Sequence, residues 1–170
     1  MSAGSRIILS IGHSNHSPEF FLDLLHANRV EVLVDVRSRP YSRLAPWFSK
    51  ADLAKNCSGQ GIEYLFLGRE LGGLRSEPEL LDGSGRVDYH KVRNLPSFQK
   101  GLGILVNAAG QKNTAVMCAE EDPRRCHRTA LLGPALRPKG FDLVHIRGDG
   151  RLENDDQSAR AGGQGKLFDF

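Results

Sequence analysis

The residues best equipped for chemistry crowd into one stretch, Cys118-Ala-Glu-Glu-Asp-Pro-Arg-Arg-Cys-His-Arg128. It combines thiols, an imidazole, carboxylates and guanidinium groups, a mixture that packing alone does not call for. Cys118 to Arg124 has the Cys-x5-Arg spacing with which phosphatases and rhodanese-like sulfurtransferases cradle an anion over a thiolate. Glu120, Glu121 and Asp122 lie inside that loop, however, and carboxylates there repel an anion and raise a thiol pKa. A small buried cysteine ending a strand is the plainer reading of Cys118. Zinc ligation by Cys118, Cys126, His127 and His13 is conceivable, but the spacing matches no common zinc pattern. No metal and no cofactor are therefore expected. Asp35 and Glu120 are the candidates for a general base that activates water. Asp35 has an alternative as the ion-pair partner of Arg37 or Arg128. His127 can donate to a substrate anion at a helix N-terminus or bond to a backbone carbonyl.

A second stretch, Arg37-Ser-Arg-Pro-Tyr-Ser-Arg-Leu-Ala-Pro-Trp-Phe48, interleaves cations with aromatic rings. Tyr41 and Trp47 there suit base stacking beside phosphate contacts. Phe48 reads as core.

Apolar strands must position these groups. Arg6–Ile11, Val30–Val36, Ile62–Leu67, Thr114–Met117 and Phe141–Ile146 read as strands, and their continuous apolar character suits a sheet buried on both faces. Helices are expected after Ser17-Pro18, where Phe20, Phe21, Leu24 and Leu25 share a face, after Ser49, from Pro96, and from Asp122-Pro123. Gly68 to Leu95 has no clear period and reads as a lid or binding loop. Alternating strands and helices predict an α/β fold: one domain over 6–148, a mainly parallel open sheet with helices on both faces. Residues 149–170 turn polar and small and read as a flexible tail. In a parallel sheet the polar residues that end the strands share one edge, where ligands bind. His13, Asp35, Arg37, Glu120, His127 and Arg128 are thus expected to line one pocket, with Ser14 and Cys118 beside them and His145 ending the last strand.

Composition fits a soluble globular domain: 170 residues, 39% hydrophobic and 25% charged, with net charge +3 and pI near 8.9. The mild basicity permits a nucleic-acid partner without demanding one. No apolar run approaches the ~20 residues of a membrane span, and no membrane partner is expected. The first residues lack a signal-peptide core, so a cytoplasmic location is expected, with Cys57, Cys118 and Cys126 reduced and unlinked.

Several motifs in order resemble the family catalogued as domain of unknown function 488. They are Ile11-Gly-His-Ser14; Leu33-Val-Asp-Val-Arg37 with Pro40 and Ser42; Tyr64 with Leu71-Gly-Gly73; and Met117-Cys-Ala-Glu120 with Cys126-His-Arg128 and His145. The resemblance spans about Ile8 to Ile146 and departs at Arg75 to Tyr89, which looks short. It implies an α/β domain with a polar pocket built from these residues, in a family often labelled as DNA repair proteins without a settled reaction. The leading expectation is a hydrolase that removes or processes modified bases in DNA. Asp35 or Glu120 activates water, and His13, His127 and Arg128 hold a phosphate or leaving group. Ser14, Arg37, Tyr41, Ser42, Trp47, Cys118 and His145 contact substrate. The alternatives are a cysteine-dependent enzyme on a small anion and a non-catalytic nucleic-acid adaptor. At the C-terminus, Gln164, Leu167 and Phe168 resemble the short peptide with which bacterial polymerases and repair proteins bind the sliding clamp. Recruitment to that clamp is a further expectation.

Overall fold

The structure is a computed structural model and describes residues 4–156. In chain order its regular elements are β1 (Arg6–Gly12), α1 (Pro18–Ala27), β2 (Val32–Asp35), α2 (Lys50–Gly59), β3 (Glu63–Phe66) and α3 (Gly68–Leu71). There follow α4 (Tyr89–Arg93), α5 (Pro96–Gln111), β4 (Thr114–Cys118), α6 (Gly133–Leu136), β5 (Phe141–Ile146) and β6 (Leu152–Asn154). The sheet order is β3-β2-β4-β1-β5-β6. All neighbours are parallel except β6, which runs antiparallel to β5.

Side-chain alternation divides the strands between two cores. Ile8, Val32, Val34, Val116 and Leu143 face α5 through Phe98, Leu102 and Leu105. Leu9, Ile11, Leu33, Ala115, Met117 and Val144 face the opposite layer, where Phe21, Leu24 and Leu25 of α1 and Leu53 and Cys57 of α2 meet them. Helices thus cover both faces, as the apolar strands predict. Ser17 caps α1 by accepting from the Phe20 amide at 3.1 Å. Phe20, expected on the apolar face, is 41% exposed and lies edge-on to His16 instead.

Two expectations about elements are corrected. The Gly68–Leu95 region is largely packed: α3, α4 and a short 3-10 turn at Pro78–Leu80 bury Leu71, Leu80 and Val92. The sheet also continues past residue 148, where the tail was expected to begin. β6 adds a strand, and Asp155 is buried against His145 and Arg137. The polar sequence of β6 hid it, because an edge strand needs backbone partners more than apolar side chains. Among the described residues no helix is long and apolar enough to cross a membrane.

Candidate active site

Because β1, β2 and β4 are parallel neighbours, their C-terminal ends open onto one edge. The β1–β4 pairing runs on beyond both strands. The His13 amide donates to Cys118 O and the Ser14 amide to Ala119 O, each at 2.9 Å. Gly12 makes this approach possible: a Cβ there would lie 1.9 Å from Glu120 O.

The turn after β4 starts as expected and then departs. Asp122 caps the Arg124 amide at 3.0 Å and Pro123 opens a 3-10 turn. The expected helix stops at Cys126, whose backbone is extended, and resumes as a π-helical turn over Arg128–Leu132. Such π segments often mark functional sites. Arg128 explains the break. Fully buried, it reaches under the loop to donate to Ser10 Oγ at 2.9 Å, to Cys126 Sγ at 3.2 Å and to the carbonyls of Glu120 and Glu121. It has no carboxylate partner among the described residues.

The result is a cleft of about 660 Å³. Its lining includes His13, Ser14, Arg37, Tyr41, Ser42, Cys118, Glu120, Cys126 and His127. Gly73, part of the Leu71-Gly-Gly73 motif, lines it too, as do Arg39, Arg43, Leu74, Tyr89 and Arg125, which were not singled out as site residues from sequence. The cationic character of the Arg37–Phe48 loop was the available signal for Arg39 and Arg43. Nothing local marks Tyr89.

Asp35 and Arg128 were expected in the wall and lie behind it, and His145 is likewise buried. Asp35 accepts from Arg37 Nε at 2.9 Å, Arg37 Nη2 at 2.8 Å and the Tyr64 hydroxyl at 2.6 Å. It has the role of structural ion-pair partner, the alternative weighed for it. His145 joins Ser10 Oγ at 2.9 Å and Asp155 Oδ1 at 3.0 Å. The Asp155–His145–Ser10 connectivity is that of a hydrolase triad. Ser10 is buried, however, and already receives a hydrogen bond from Arg128, so its hydroxyl is part of the foundation. Trp47 stands outside the cleft and donates to His16 O at 2.8 Å, and Ser42 Oγ accepts from the Ala45 amide within its own loop.

His13 lines the cleft with both ring nitrogens engaged. Nδ1 is 2.7 Å from Ser14 O, an acceptor, and Nε2 is 3.2 Å from Arg37 Nη1, a donor. Only the neutral ring with hydrogen on Nδ1 satisfies both. Burial, opposed in part by the bond to Ser14 and reinforced by the Arg37 charge, lowers its pKa to about 4. His13 therefore positions Arg37, and stacking on Phe48 holds it in place.

Two carboxylates share the loop with different fates. Glu121 is clamped by Arg147 and the Gly148 amide, and those bonds hold it ionised below the usual range. Glu120 is half-buried on the cleft wall and makes no ion pair among the described residues. The carboxylate's one hydrogen bond among the described residues is a long one from the Asp122 amide, 3.4 Å.

The sulfur pair is the remaining feature. The cysteines are unlinked, as expected. His127 Nδ1 lies 3.8 Å from Cys118 Sγ and 3.6 Å from Cys126 Sγ. A hydrogen bond to Cys126, together with burial, holds the Cys118 thiol well above its ordinary range. Burial also opposes ionisation of Cys126, but the bond from Cys118 and the charges of Arg128 and His127 outweigh it and pull that thiol well down. The sulfur that the Arg128 guanidinium touches is that of Cys126, which favours its thiolate over that of Cys118. Although the spacing matches no common zinc pattern, the donor atoms of Cys118, Cys126 and His127 lie within 4.8 Å of one another. His13 is not among them.

The family model described as domain of unknown function DUF488 matches residues 17–133. The chain belongs to the DUF488 family. The match covers β2 to β4 and the loop carrying Glu120, Cys126 and His127, so the cleft is largely built from the family's own segment. No curated protein and no solved structure matches the chain.

Proposed function

We propose that this DUF488 protein is a hydrolase acting on nucleic acid that takes a modified base into the cleft, with Glu120 as the group that activates water. The observation that carries this reading is Glu120 itself, a cleft-wall carboxylate with no ion-pair partner among the described residues. A carboxylate left unpaired in a half-buried position is available as a base. Support for a nucleic-acid substrate comes from the rim. Arg39 and Arg43 make no ion pair among the described residues, and Tyr41 between them is 58% exposed. Cations flanking an exposed ring suit phosphate contacts beside a stacked base. A base must leave its stack to be reached, and a cleft of this volume admits one.

The test is a panel of duplex and single-stranded DNA carrying modified bases, read for abasic sites and nicks. Release by the parent protein and its loss in Glu120→Gln support the reading. Release by Glu120→Gln at the parental rate, or none by the parent on any substrate, overturns it. The second outcome leaves a non-catalytic adaptor.

The low pKa of Cys126 favours a second reading, a cysteine-dependent enzyme on a small anionic substrate. Activity lost in Cys126→Ser and kept in Glu120→Gln would select it.

Gln164, Leu167 and Phe168 lie outside the described residues. Their resemblance to a clamp-binding peptide supports recruitment to the replication sliding clamp, which would raise the enzyme's effective concentration on DNA. Equal clamp affinity of the parent and a Leu167→Ala, Phe168→Ala variant would dispose of this.

A further inference from the structure

We infer that Cys118, Cys126 and His127 form a zinc site with an open coordination position facing the cleft. The inference goes beyond the hydrolase reading and does not rest on it.

Geometry supplies the first ground. Tetrahedral zinc with Zn–S ~2.3 Å and Zn–N ~2.05 Å separates sulfur from nitrogen by roughly 3.5–3.6 Å. His127 Nδ1 stands 3.6 Å from Cys126 Sγ and 3.8 Å from Cys118 Sγ. The donors therefore already sit near the edges of a coordination tetrahedron.

Charge supplies the second. The fully buried Arg128 guanidinium has no carboxylate partner among the described residues; beside Ser10 Oγ and the carbonyls of Glu120 and Glu121, it donates to Cys126 Sγ at 3.2 Å. That contact selects a thiolate, the ligating form of cysteine. With zinc in place it becomes an outer-shell N–H···S bond, the kind of support that orients a ligand.

His127 supplies the third. Its ring is buried, Nδ1 faces only the two sulfurs, and Nε2 has no hydrogen-bond partner among the described residues. Gly73 backs the ring so closely that a Cβ there would come 2.7 Å from His127 Cβ and Cγ. The imidazole is thereby fixed in place with one nitrogen aimed at the thiols.

Three protein ligands with a fourth position open is the pattern of catalytic zinc, as distinct from the closed four-ligand pattern of structural zinc. All three residues line the cleft, so the open position faces it. Glu120 lies two residues beyond Cys118 on the same wall, where a carboxylate can accept a proton from a zinc-bound water.

The test uses the full chain, purified reduced. Metal analysis should find about one zinc per chain, and replacement by Co²⁺ should give a thiolate-to-cobalt charge-transfer band with tetrahedral visible bands. Cys118→Ser, Cys126→Ser and His127→Gln should each weaken zinc by more than the ~10–100-fold that outer-shell changes cost. Cys57→Ser, in the opposite core, should bind as the parent does. A Co²⁺ spectrum of the parent without thiolate charge transfer overturns the inference, whatever the folding of the variants. So does parental zinc affinity in the three ligand variants. Zinc binding without base release would leave the site intact and sink only the hydrolase reading. Base release by a metal-free protein that cannot take up Co²⁺ would do the reverse.

Discussion

Arg37 closes a two-bond fork on Asp35, at 2.9 and 2.8 Å, and turns its remaining Nη1 to His13 Nε2 at 3.2 Å. One of the two carboxylates that the sequence offered as a base is consumed in holding a guanidinium at the cleft. Breaking a buried pair strands the surviving charge. Asp35→Asn should therefore cost about 3–5 kcal/mol, read by urea denaturation. Glu120→Gln, on the half-buried wall, should change stability by less than ~1 kcal/mol while abolishing turnover. An Asp35→Asn protein of parental stability that is nonetheless inactive would move the base back to Asp35.

His13 sets a pH dependence whose sign follows from its direction of shift. Its folded pKa is lowered to about 4, below the ordinary value of 6.5, so the unfolded chain binds the proton more tightly. The stabilisation is complete above the unfolded value and is lost as pH falls from there through the folded one. The full loss is of the order of ~3 kcal/mol. His13→Asn should flatten this part of the stability–pH curve. An equal slope in parent and variant would show that His13 is not the titrating group.

The Arg128 and His127 charges pull the Cys126 thiol below its ordinary range, so in the reduced, metal-free protein it should ionise before Cys118. Thiolate ultraviolet absorbance should show one step below the ordinary cysteine value of about 8.5, from Cys126, while Cys118 and the buried Cys57 ionise above it. Cys126→Ser should remove the lower step. Retention of that step in Cys126→Ser, with its loss in Cys118→Ser, would reverse the assignment within the pair.

Gly12 lies under the Cys118–Arg128 loop with no room for a methyl group, since a Cβ would sit 1.9 Å from Glu120 O. The obstacle is backbone held by Arg128, which cannot swing aside. Gly12→Ala should destabilise by about 3 kcal/mol and displace Glu120. Unchanged stability together with unchanged zinc affinity would mean that the loop is freer than its contacts imply.

Asp155 completes the buried Ser10–His145–Asp155 chain and also pairs with Arg137 at 2.6 Å. Asp155→Asn should cost roughly 1–3 kcal/mol, the usual penalty for leaving buried polar groups short of a partner. Ending the chain at residue 148 should cost at least as much. A truncated protein with the parental melting temperature would show that β6 contributes nothing to the fold.

The five parallel strands, with boundaries within two residues, and the caps that start α1 and the turn after β4 are legible from the residues alone. These signals are local. Apolar runs such as Val32–Val34 can be satisfied only by burial, and Ser17 and Asp122 bond to amides two or three residues away. The strand-end rule also identified the shared edge that holds His13, Arg37, Glu120 and His127. Which charged residue is wall and which is foundation belonged to tertiary structure. Asp35 and Glu120 look alike in sequence, yet the carboxylate of one meets Arg37 and Tyr64 while that of the other makes no ion pair among the described residues. Those partners come from separate strands and loops, and no spacing along the chain encodes their distance. The gathering of Cys118, Cys126 and His127 was equally hidden, because the helix expected from Asp122-Pro123 would have carried Cys126 away from β4. The buried guanidinium of Arg128 takes the loop carbonyls and breaks that helix at Cys126, bringing the sulfur back to the strand end.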